Sequence, residues 1–175
     1  MEDRFYKLEF AARKSIRYLT KRKRFFDNWH YFGVAVTALS GSGAFASLMS
    51  DGTNTIAKIL TGITAVASSL DLAVGFSKRG QQYDRLQKRF SDLLIETIKS
   101  ERTEQKLKQL EAERLQIEKD EPPTLVALDI FCHNEECLAQ DQKDNLYKFD
   151  FFHRCLMHWW SFEGMPRVLV SAKKT

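Results

Sequence analysis

The sequence predicts an all-α protein: a two-helix transmembrane hairpin extended into long cytosolic helices, with a small C-terminal helical segment. Three observations predict it. Two apolar runs, 31–49 and 56–76, flank a polar turn, 50–55. Clusters of Lys and Arg bracket that pair on both sides. Most of the remaining chain is charged, with apolar residues recurring every three or four positions.

The first run carries no charge, and the second carries only Lys58 and Asp71. Each is close to the length at which a helix rising about 1.5 Å per residue crosses a hydrocarbon core of about 30 Å. In lipid such a segment must satisfy its own backbone hydrogen bonds, so each run is expected to be helical. The short turn makes the two antiparallel neighbours. Lys21-Arg22-Lys23-Arg24 stands before the first run and Lys78-Arg79 after the second, whereas the turn has one Asp and no Lys or Arg. That asymmetry places both termini on the cytoplasmic side. Trp29, His30 and Tyr31 supply an interfacial anchor. The alternative is a helical hairpin buried on all sides in a bundle or oligomer.

The chain holds 27 Lys and Arg against 23 Asp and Glu, and the excess is local. Residues 1–28 hold nine basic and four acidic side chains, and residues 77–91 hold five and one. Basic charge on either side of a hairpin suits anionic lipid headgroups. Phosphate attraction also allows direct nucleic-acid contact, although no zinc-finger spacing or helix-turn-helix pattern supports it. The first apolar run lies too far in for a cleavable signal peptide. Cys132, Cys137 and Cys155 are odd in number and read as reduced thiols.

Four parts follow in order. Residues 1–28 form an amphipathic helix with Phe5, Leu8, Ala12, Ile16 and Leu19 on one stripe, running directly into the first apolar run. Residues 29–76 are the hairpin. Residues 77–121 are a long cytosolic helical region, with Leu86, Phe90, Leu93, Leu94, Ile98, Leu107, Leu110, Leu115 and Ile117 as apolar positions. A dip at 100–105 marks a break between two helices, and Pro122-Pro123 stops the second. Residues 122–175 are a C-terminal helical segment and tail. There Thr124 caps a helix over 125–139, an aromatic segment covers 145–163, and Val168-Leu169-Val170 is strand-like.

Within the hairpin, Asp71 is the sharpest residue, because a charge inside a spanning helix is costly and usually faces a bundle interior, a partner or water. It reads either as a pore-lining carboxylate or as a group near the interface paired with Lys78 or Arg79. Lys58 snorkels. Ser40, Ser42, Thr64 and Ser68 belong to a polar set that lines a narrow aqueous path or holds helices together. Gly33, Gly41 and Gly43 let backbones approach closely. Lys21, Arg22, Lys23, Arg24, Lys78 and Arg79 are assigned to the membrane surface.

Cys132 and Cys137, with His133 between them and His153, Cys155 and His158 downstream, lack a second ligand pair at metal spacing, so no metal or other cofactor is expected. Packing inside a small helical bundle is the expectation for these cysteines. His153, His158, Trp159 and Trp160 form either a membrane or partner patch or, the favoured expectation, the core of a C-terminal bundle. No catalytic triad order, phosphate loop or dinucleotide fingerprint is present, so no enzyme activity is expected.

The basic helix with Arg13, Arg17, Lys21, Arg22 and Arg24, two spanning runs on a tight turn, and then Lys78-Arg79, Tyr83, Arg85, Leu86, Lys88 and Phe90 make a layout that resembles the SLATT family. These are the two-transmembrane effector domains of bacterial conflict systems. The resemblance covers residues 5–140. It implies a membrane-disrupting, pore-forming effector of antiphage defence, acting through abortive infection in the bacterial inner membrane as a homo-oligomer. It further implies a cytoplasmic sensor partner that keeps the effector inactive until triggered: a nucleotide-messenger synthase, or a reverse transcriptase with its nucleic acid. Two other readings remain open: a non-toxic helical adaptor whose hairpin is buried in a soluble assembly, and a holin-like prophage lysis protein.

Overall fold

The computed structural model describes residues 1–40 and 73–170, together with 62, 64–66 and 69. Its described residues are helical, without a β-strand. The all-α expectation therefore holds. The chain divides into two compact units, Met1–Arg22 with Tyr83–Thr175, and Lys23–Gln82.

Helix α1, Glu2–Ser40, runs unbroken out of the basic segment and into the first apolar run, as expected. Glu2 and Asp3 in its first turn meet the positive end of its dipole. Helix α2, Phe76–Lys99, and helix α3, Glu104–Glu118, are separated at the predicted break. Thr103 sits in extended backbone and its hydroxyl accepts from the Lys106 N–H at 3.3 Å, which caps α3. The α3 helix ends just ahead of Pro122-Pro123, where a continued helix would clash.

Helix α4, Val126–Ala139, begins one residue later than expected, with Leu125 at the cap position and no side-chain cap. Thr124 therefore does not cap it. The Leu125 N–H donates instead to the Tyr18 hydroxyl at 3.0 Å, so a partner from α1 satisfies this end. A 3₁₀ turn, Lys143–Asn145, and a short helix α5, Phe151–Leu156, follow. The aromatic segment is thus mostly non-helical, and Val168-Leu169-Val170 contributes one antiparallel bridge between Tyr147 and Leu169.

In the first unit the core is built from buried stripes: Phe5, Leu8, Ala12 and Leu19 of α1, Leu86, Phe90 and Leu93 of α2, Leu107, Leu110 and Ile117 of α3, and Ala127, Leu128, Ile130, Cys132 and Cys137 of α4. Ion pairs knit its rim. Arg4 pairs with Glu104 and Glu111, both at 2.9 Å, and Arg102 with Glu2 at 2.6 Å. Lys14 reaches Asp129 at 2.8 Å.

The second unit closes on aromatics. Phe26 and Phe76 are buried with ring centroids 6.1 Å apart, and Trp29 stacks on Phe76 at 6.2 Å. Gly80 is needed here, since a Cβ on it would lie 2.6 Å from Asp27 Oδ1 and 3.8 Å from Phe26 Cβ. Among the described residues, no helix is long and apolar enough to cross a membrane. Most of the two apolar runs lies outside those residues.

Candidate functional site

The strongest candidate is an exposed aromatic face carried by 151–160 and fastened to the basic end of α1 in the first unit. Phe151 is 80% exposed, Phe152 62%, Trp159 57% and Trp160 69%. Burying such rings is favourable, so an exposed cluster of them is a candidate contact surface.

Several contacts hold this segment in place. Asn134 of α4 acts like a strand edge: its Nδ2 donates to the Tyr147 carbonyl and its Oδ1 accepts from the Tyr147 N–H, both at 2.8 Å. Lys148 N–H donates to the Val168 carbonyl and Val170 N–H to the Leu146 carbonyl, again at 2.8 Å. Phe162 and Gly164 turn the chain back with φ of 52° and 91°. His153 packs edge-on against Phe162 at 4.7 Å.

Arg22 fastens the tryptophan end. Its side chain is buried, and Nη1 donates to the His158 carbonyl at 2.8 Å. The guanidinium also lies 5.5 Å from the Tyr83 ring centroid. Burial, then the charges of Arg22 and Lys21, lowers the His158 imidazole to about 4, so the ring is neutral near pH 7. Beside it Lys21 binds Glu135 at 3.0 Å and sits 4.9 Å from the Phe131 ring centroid. Arg154 of α5 lies 5.6 Å from that same ring. One phenyl ring thus gathers a cation from α1 and a cation from α5.

Elsewhere in this unit a cleft of about 530 Å³ lies among α1, α3, the Pro122-Pro123 segment and α4. Lys14, Tyr18, Arg114, Glu121, Asp129 and Arg167 are among its walls. Burial raises the Glu121 carboxyl to about 7, with Glu118 adding to the rise. Burial also raises the Tyr18 hydroxyl to about 12. A carboxyl raised from its unfolded value of 4.5 favours folding most below pH 4.5 and loses that contribution as pH rises through about 7. Glu121→Gln should therefore flatten the stability profile between those limits and raise the melting temperature at pH 8. Thermal melts of both proteins across pH 4 to 8 check this.

Cys137 Sγ lies 3.3 Å from His133 Nε2, which is itself 3.2 Å from the Asn145 carbonyl oxygen. Burial raises the Cys137 thiol and lowers the His133 imidazole, so both shifts favour the neutral forms. Cys132 is buried as well and raised to about 12. Cys155 is exposed. Among the described residues no group of three or more His, Cys, Asp or Glu is arranged to hold a metal.

The remaining expected residues are placed as follows. Arg22, assigned to the membrane surface, is buried, with its guanidinium drawn inward by the His158 carbonyl and the Tyr83 ring. Lys21 and Lys23 are half-buried, while Arg24, Lys78 and Arg79 are exposed. Arg79 lies 6.0 Å from the Phe26 ring. Gly33 is buried in α1, and a Cβ there would meet no described atom within 4 Å. Thr64 is half-buried. Gly41, Gly43, Ser42, Ser68, Asp71 and the Ser40 side chain lie outside the described residues.

The favoured expectation of a core for Trp159 and Trp160 is corrected: both point to solvent. The signal was in the doublets. Adjacent residues on a helix are about 100° apart, so Phe151 and Phe152 of α5 cannot share one inner face, and Trp159-Trp160 lie beyond the end of that helix. No comparable pattern announces the burial of Arg22 within its basic run.

The fold and this surface define an all-helical protein with an anchored aromatic face. Protein-family models, curated proteins and solved structures provide no match to the chain.

Proposed function

We propose that this chain is a membrane-disrupting effector whose hairpin, 31–49 and 56–76, inserts, oligomerises and opens a pore when a partner releases it. The observation that carries the reading is the pair of nearly charge-free runs bracketed by Lys21–Arg24 and Lys78-Arg79. The resemblance to SLATT effectors supports it and suggests an antiphage setting, with a nucleotide-messenger synthase or a reverse transcriptase as the partner. The helical unit of α1 to α4 would receive the signal, and small residues in the hairpin would bring the spanning helices together.

The test has two parts. Membranes from cells expressing the chain are washed with alkaline carbonate, and the chain is expected to stay in the pellet. Release into the supernatant would instead support an adaptor whose hairpin is masked by protein. A membrane-potential dye then reports cells expressing the chain alone or with its genomic neighbours. Depolarisation relieved by a neighbour is expected, whereas depolarisation indifferent to neighbours fits a lysis protein.

Gly41→Leu should remain in the pellet, being more apolar, yet lose depolarisation because bulk separates the helices. Asp71→Asn should reduce ion flux or change its selectivity if that carboxylate faces the lumen. Full depolarisation by Gly41→Leu at the normal expression level would refute close packing.

A further inference from the structure

We propose that the cleft walled by α1, α3, the Pro122-Pro123 segment and α4 binds a small organic cation, an alkylammonium or alkylguanidinium group, seated on the Glu121 carboxylate. The cleft lies wholly within the first unit, so the inference is independent of the hairpin reading.

Charge pairing inside the cleft sets the sign of the ligand. Lys14, Arg114 and Arg167 line it together with Glu118, Glu121 and Asp129. Arg114 is committed to Glu118 at 2.7 Å across one turn of α3. Lys14 of α1 holds one oxygen of Asp129 at 2.8 Å, and Arg167 faces the other at 3.6 Å. Each cation is thus matched to a carboxylate, and both Asp129 oxygens are taken. Glu121 is the acid left over: among the described residues its carboxylate has neither an ion pair nor a hydrogen bond. Burial, with the Glu118 and Asp129 charges nearby, makes its ionised form costly, and Lys14 and Arg114 offset that only in part. Tyr18, the other ionisable group on the wall, is raised to about 12 and stays neutral near pH 7. One added positive charge would complete the pairing.

Shape and chemistry select an organic ion over a metal. The cavity, about 530 Å³, is the size of a small-molecule site and far larger than a bare ion needs. A divalent metal takes several oxygens at once, whereas Glu118 and Asp129 are already engaged by Arg114 and Lys14. Tyr18, Pro122, Pro123 and Val126 give the same cleft apolar surface, which suits the methylenes that carry an ammonium or guanidinium.

The test uses the full chain in detergent micelles, with its glutamates labelled by carbon-13 at the carboxyl. The Glu121 resonance is the one missing from Glu121→Gln. Without ligand it should titrate at about 7. n-Butylguanidinium or n-butylammonium, at about ten times its dissociation constant, should lower that midpoint to about 6, because a cation binds the ionised carboxylate in preference. By the same linkage, binding should be about tenfold tighter at pH 8 than at pH 6. Glu121→Gln should abolish this pH dependence and weaken binding at pH 8 by about tenfold or more, the worth of a charge-assisted hydrogen bond. Glu113→Gln, which alters a separate cleft, should change neither.

A Glu121 midpoint unmoved by both cations overturns the proposal. So does an equal shift with sodium chloride at matched ionic strength or with neutral butyramide, since neither requires a seat for an organic cation. A midpoint already in the ordinary carboxylate range without ligand overturns it as well, because another part of the chain would then supply the counter-ion.

Discussion

Phe90→Ala is expected to destabilise the helical unit by about 3–5 kcal/mol. The ring is fully buried on α2, on the stripe that also buries Tyr83, Leu86, Leu93 and Thr97. Removing it forfeits apolar burial and leaves a cavity that the surrounding helices only partly fill. Even the polar member of the stripe is satisfied, because the Thr97 hydroxyl donates to the Leu93 carbonyl at 2.7 Å. Leu115→Ala is the control: Leu115 is 65% exposed, so its change should stay within about 0.5 kcal/mol. Chemical denaturation of the full chain, followed by far-ultraviolet circular dichroism, compares the two. Equal effects would mean that the α2 stripe is not the core of this unit.

That contrast shows what periodicity can and cannot read. Leu115 and Ile98 were grouped with the apolar positions by residue type, but a helix advances about 100° per residue. On α3 the buried stripe is Leu107, Leu110 and Ile117, and Leu115 falls well away from it. On α2, Thr97 takes the inner position and Ile98, 54% exposed, is turned outward. Spacing chose the better residue in each case over hydrophobicity alone.

Local signals read well wherever the deciding interaction is local. The unbroken α1, the break capped by Thr103 and the stop before Pro122-Pro123 all follow from backbone chemistry within a few residues. The start of α4 did not, since its N–H partner is Tyr18, more than a hundred positions away. The burial of Arg22 was not legible for the same reason: the carbonyl and ring that draw it inward belong to His158 and Tyr83. The aromatic face was hidden because the tendency to bury Trp and Phe outweighed the evidence of their doublets.

A long-range pair also yields the last large effect. Glu136 of α4 is almost completely buried, and its carboxylate accepts from Arg17 Nε and from Gln140 Nε2, both at 2.6 Å. Arg17→Met would keep the stem that packs along α1 and remove the charge opposite Glu136. An uncompensated buried carboxylate costs several kcal/mol, so a loss of about 3 kcal/mol is expected. Water reaches Arg17, whose side chain is 39% exposed, which places the expectation at the lower end of the range for buried pairs. The double variant Arg17→Met/Glu136→Leu should recover most of that loss, because an apolar pair has no charge to desolvate. A double-mutant cycle measured by denaturation supplies the test. Additive losses, with no recovery in the double variant, would show that Glu136 is held by Gln140 and solvent and that Arg17 contributes only packing.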